Sequence, residues 1–209
     1  MSAGQGVRRK QRSDKKRQVA PTISMELRDT IYRLNYITGI PVKDVCEAIC
    51  HSGLSSRKVI EHLSQYFRRD LYFGNTLYRG VPERPPQFRK IPAGKTGRVS
   101  TRLRARDYEL LSALAYSLDC TPSRATAILL NAAIRDTDFL NSYIREYLRK
   151  ELDERRMEEL RKVLRYLRKN NPYDEDITWT HLLAYIYHEV RDGAQSVAET
   201  VNTFINRWK

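Results

Sequence analysis

Cysteine is scarce, three in 209 residues. An odd and small number with no secretory leader argues against a disulfide framework and for a reducing compartment. Long apolar runs are missing too. No stretch approaches the roughly 20 residues of a membrane span, and no apolar core follows the basic N-terminus as a signal peptide requires. A cytoplasmic location without membrane contact is therefore expected. Catalytic spacings are also lacking: there is no Ser/His/Asp set and no carboxylate pair. Gly94-Lys95-Thr96 has the ending of a phosphate-binding loop, but Arg89 stands where the leading glycine belongs. Cys46 and Cys50, with His51 and His62 near them, lack the second cysteine pair of a zinc site and read as small core hydrophobes. His181 and His188 share one helical face, where packing is the simpler reading. The chain is expected to be no enzyme and to need no metal or cofactor.

Positive charge is abundant. Lys and Arg total 38 against 25 Asp and Glu, a net charge of +13 with a pI near 9.8. The excess is uneven: residues 1–20 hold seven Lys/Arg against one Asp, and residues 79–104 hold eight against one Glu. Those two stretches carry all of it, which favours a polyanionic partner, nucleic acid before a membrane surface. The rest is near neutral, as in a folded scaffold.

Residues 98–134 carry the clearest pattern. Val99, Thr101 and Leu103 alternate with Arg98, Ser100, Arg102 and Arg104, the period of a strand. Tyr108, Leu111, Leu114, Ala115 and Leu118 follow at helical spacing. Asp119-Cys-Thr-Pro-Ser123 then supplies an N-cap (Thr121) and a proline suited to the first helical position (Pro122). The helix after it places Ala125, Ile128, Leu129, Ala132 and Ala133 on one side. One short strand needs a partner, and pairing as an antiparallel ribbon would leave an Arg/Ser outer face. A helical hairpin behind a basic edge strand is the competing reading.

Strand, helix, capped turn and helix in this order resemble the ribbon-helix-helix DNA-binding family. The resemblance implies base reading by Arg98, Ser100, Arg102 and Arg104. It also implies a phosphate anchor at the second helix N-terminus, through Thr121, Ser123 and Arg124.

A second, weaker copy precedes it. Ile23, Met25 and Leu27 alternate with Thr22, Ser24, Glu26 and Arg28, predicting a strand over 22–28 with Thr22, Ser24 and Arg28 as further base readers. Ile31, Leu34 and Ile37 predict a short helix stopped at Gly39, and Pro41–Cys50 a second. Glu26 stands where the other copy has Arg102, which suggests a weaker reader or a structural partner. Tandem copies are expected to pair with each other within one chain or each with its counterpart in another subunit; the residues do not choose.

The expected fold is mainly α with short β-ribbon strands, as ribbon-helix-helix units plus a C-terminal helical domain. Residues 1–20 read as a disordered basic arm touching phosphates through Arg8, Arg9, Lys10, Lys15, Lys16 and Arg17. Residues 21–73 form the first unit with an extra helix over 55–73, and 74–97 a Pro/Gly linker whose Lys90 and Lys95 would lie along a backbone. Residues 98–137 form the second unit. Residues 138–209 read as three helices, the first over 138–169, for self-association or for docking another protein, with a helical cap packed on the core as the competing reading. The function this implies is sequence-specific binding of double-stranded DNA, as a repressor or a plasmid partition or copy-control protein. Non-specific architectural binding of DNA or RNA, or a DNA-bound adaptor, is the alternative.

Overall fold

The computed structural model describes residues 16–86, 94–136, 138–139, 143, 154–169 and 171–173. The chain is mostly helical with a few short antiparallel strands. The first unit comprises β1 (Arg17–Val19), β2 (Thr22–Ser24), α1 (Met25–Thr38) and α2 (Val42–Ser55). After α3 (Arg57–Ser64) comes a hairpin of β3 (Leu71–Phe73) and β4 (Thr76–Tyr78). The second unit comprises β5 (Thr96–Arg98), β6 (Thr101–Leu103), α4 (Ala105–Ser117) and α5 (Pro122–Ala133). The last described helix is α6 (Glu154–Arg168).

The two units repeat at a constant offset of 80 residues (25 to 105, 39 to 119, 42 to 122). Ser24 caps α1 by accepting from Leu27 N, and Thr121 caps α5 by accepting from Arg124 N. Each turn between helices passes through the left-handed region, at Gly39 (φ 70) and at Asp119 (φ 53). Glycine takes that conformation without a Cβ clash. At Asp119 the cost is offset by two arginines, with Arg68 Nη1 and Arg69 Nη2 at 2.5 and 2.6 Å from its carboxylate.

The strands of the two units pair with each other in one chain. Arg17–Val19 lies antiparallel to Thr101–Leu103, and Thr22–Ser24 to Thr96–Arg98. Pro21 has no N–H to donate, so the pairing is split there; its carbonyl still accepts from Val99 N at 3.1 Å. A single register runs through both halves, and Ala20 comes opposite Ser100, its equivalent in the repeat. The ribbon therefore has a local pseudo-twofold at its centre.

Val19, Pro21 and Ile23 face inward with Val99, Thr101 and Leu103, all buried. Thr101, fully buried, donates to Lys43 O at 2.9 Å, and Ser123 Oγ donates to Ala20 O at 3.2 Å. These bonds tie each strand to the second helix of the other unit. Beneath the ribbon α2 packs on α5, with Val45, Cys46, Ile49 and Cys50 against Ala125, Leu129 and Ala133 in the common core. Burial pushes the Cys46 thiol up to about 12, and raises that of Cys50 as well.

Several expectations need correction. The first strand is Arg17–Ser24 with a break, not 22–28; Met25, Leu27 and Arg28 belong to α1. Leu27, Ile31 and Leu34 are buried along one side of that helix, so the apparent alternation of Ile23, Met25 and Leu27 spans a strand end and a helix start. The disordered arm expected over 1–20 does not extend through Arg17–Val19, which is a strand. The helix expected over 55–73 ends at Ser64, and Phe67 is buried beyond it. The expected linker 74–97 includes β4 and β5. Within the expected helix 138–169, α6 buries Leu160, Val163, Leu164 and Leu167 and packs on α1, with Arg33 Nε 3.0 Å from Glu159. The two helices expected beyond residue 173 lie outside the described residues.

Candidate nucleic-acid interface

The outer face of the ribbon is built by strand alternation. Residues opposite one another share a face, so the side away from the helices carries Gln18 with Arg102, Ala20 with Ser100, and Thr22 with Arg98. Gln18, Thr22, Arg98, Ser100 and Arg102 are exposed. Gln18 Nε2 donates to Ser100 Oγ at 3.1 Å across the ribbon. The face is polar and cationic, and no acidic residue lies on it among the described residues.

Two helix N-termini flank this face. Where β2 runs beside α5, Thr121, Ser123 and Arg124 stand at the start of that helix, with Thr121 exposed and the other two partly so. Pro122 has no N–H and Arg124 N is taken by Thr121, so Ser123 N and the helix dipole are what favour an anion there. Where β6 runs beside α2, the equivalent residues are Pro41, Lys43 and Asp44, and no side chain caps the helix. Glu47, one turn on, is 2.6 Å from Lys16 Nζ and 4.0 Å from Arg104 Nε. At the α2 end Glu47 is thus held between Lys16 and Arg104.

The candidate residues separate accordingly. Arg98, Ser100, Arg102 and Thr22 come together on the outer face. Arg104, just past the strand, is exposed beside Glu47. Ser24, opposite Thr96, falls on the same side at the end of β2, whereas Arg28 does not join them. Ser24 Oγ is engaged by Leu27 N at 3.2 Å. Arg28 lies on α1 with its guanidinium 5.2 Å from the Tyr32 ring centre and its stem across Gly97. Arg17 stands at the ribbon end, 4.7 Å over Tyr108, and Lys95 is exposed one residue before β5. Arg8, Arg9, Lys10, Lys15 and Lys90 lie outside the described residues.

Gln18 and Ala20 were hidden from sequence reading by the basic run around them, yet the signal existed. Val19, Pro21 and Ile23 alternate with them, in step with Val99, Thr101 and Leu103 of the other copy. Among the described residues no group of three His, Cys, Asp or Glu could hold a metal, and no helix is long and apolar enough to cross a membrane. His51, placed beside Cys50 by sequence, turns outward to Asp107 at 3.1 Å. Comparison with protein-family models, with characterised proteins and with solved structures finds no match.

Proposed function

We propose that this chain is a ribbon-helix-helix protein that binds double-stranded DNA in a sequence-specific way and acts on transcription or on plasmid partition or copy control. The observation that carries the reading is the ribbon's outer face, where Arg98 and Arg102 project from exposed strand positions with Ser100, Thr22 and Gln18. A two-stranded ribbon fits the major groove of B-DNA, where Arg pairs with guanine O6 and N7 and Gln with adenine N6 and N7. The α5 N-terminus with Thr121, Ser123 and Arg124 suits a phosphate at the groove edge. The basic flanks, including the arm before residue 16, supply contacts that do not depend on sequence.

Selection from a random duplex library at about 150 mM salt with excess competitor DNA tests this. Enrichment of a short motif is the expected result. Arg102→Ala should then lower the preference for that motif over random DNA by roughly ten- to a hundredfold, as expected when one bidentate pairing to a base is removed. Strong retention of the library without a motif would replace this reading with non-specific coating of nucleic acid.

A further inference from the structure

We infer that one chain reads one continuous and non-palindromic duplex site, with guanine contacts at both ends supplied by the second unit alone; this rests on the ribbon-reader proposal. Two identical strands around a twofold present equivalent residues to the two halves of a site, and so select a palindrome. This ribbon is closed within the chain, and its equivalent outer positions differ at every step. Gln18 corresponds to Arg98, Ala20 to Ser100, and Thr22 to Arg102. The scaffold is pseudo-symmetric, but the reading surface is not.

The pairing turns this into a directional site. One ribbon end offers Gln18 and Arg102, the other Thr22 and Arg98. The two arginines, on β5 and β6 of one segment in a single register, are four residues apart, which spans about 13 Å of extended chain. At 3.4 Å per base pair that is about four base pairs. Adenine is expected near the guanine read by Arg102, because Gln18 stands beside it; Thr22 offers the other end only a hydroxyl and a methyl. The flanks differ as well: Ser123 and Arg124 stand at the Thr22/Arg98 end, and Lys43, Asp44 and Glu47, with Lys16 and Arg104 beside Glu47, stand at the Gln18/Arg102 end.

The test uses the full chain, a random duplex library and the mass of the complex formed with the selected duplex. The expected motif is asymmetric, with two conserved guanine positions about four base pairs apart, and the complex holds one chain per motif. Arg98→Ala should relax one of these positions and Arg102→Ala the other, each by roughly ten- to a hundredfold. A palindromic motif bound by two chains, with each single substitution relaxing two symmetry-related positions, would overturn the inference and leave the ribbon reader intact. A motif insensitive to both substitutions, or no motif, would remove the ribbon-reader proposal and this inference with it.

Discussion

Where α2 crosses α5, Gly53 meets Ala133, which occupies the same position in the other unit. A Cβ on Gly53 would lie 2.5 Å from the Ala133 Cβ and 3.0 Å from Leu129 Cδ1, so the two helices approach too closely for a second methyl group. Gly53→Ala gains about 0.5–1 kcal/mol of helix propensity, but overpacking typically costs about 1–3 kcal/mol. A net loss of about 1 kcal/mol is expected in the urea midpoint, and the double variant Gly53→Ala/Ala133→Gly should recover most of it. Thiol reactivity offers a second check on the core. Cys46 and Cys50 are fully buried and held as thiols by desolvation, while Cys120 is partly exposed. Iodoacetamide near neutral pH should label Cys120 first in the folded protein, with Cys46 and Cys50 labelled only on unfolding. His62 adds a pH dependence. Partial burial, with help from Arg135, pulls its pKa below the ordinary 6.5. The unfolded state then binds the proton more readily, so this stability is present above that pH and lost as pH falls. Between about pH 7 and pH 5 the urea midpoint should fall further in the wild type than in His62→Gln.

At the scale of elements, residues 98–134 were legible because several independent signals agreed: alternation over Val99–Leu103, a Thr-Pro helix start at Thr121 and Pro122, and apolar spacing on both helices. The first unit's helices were legible through Gly39 and Pro41. Its strand was misplaced by about five residues because Lys15, Lys16 and Arg17 suggest a solvated arm and Pro21 argues against a strand. Only the partner strand at 96–103 resolves this, by pairing on both sides of the proline. The β3–β4 hairpin had its own local signal. Leu71-Tyr-Phe and Thr76-Leu-Tyr flank Gly74-Asn75, and Gly74 adopts φ 57, a two-residue turn of the kind glycine permits. The burial of α6 against α1 was not legible, since an apolar stripe does not say which surface it meets. Leu164→Ala should cost about 2–4 kcal/mol through the cavity left between α1 and α6. In hydrogen exchange the drop in protection should be larger in α6 and α1 than in β5 and β6.

At the scale of the whole molecule, the distribution of charge would separate two kinds of DNA contact in the proposed reading. On that reading the exposed ribbon residues discriminate bases, and residues 1–15, with five Lys/Arg against one Asp, add charge. Removing residues 2–15 should weaken binding to selected and random duplexes by similar factors. The slope of log affinity against log salt should also become shallower by about 0.9 for each phosphate that the arm no longer neutralises. Arg98→Ala and Arg102→Ala should do the reverse, changing the ratio between selected and random DNA far more than the slope. The central claim is that this exposed ribbon sits in the major groove and reads guanine with those two arginines. Methylation interference on the selected duplex tests it most directly, because dimethyl sulfate marks guanine N7 at the atom Arg would contact. Methylation at two guanines is expected to block wild-type binding, with Arg98→Ala and Arg102→Ala each becoming tolerant at one of them. Binding undisturbed by every guanine N7 methyl group would contradict it.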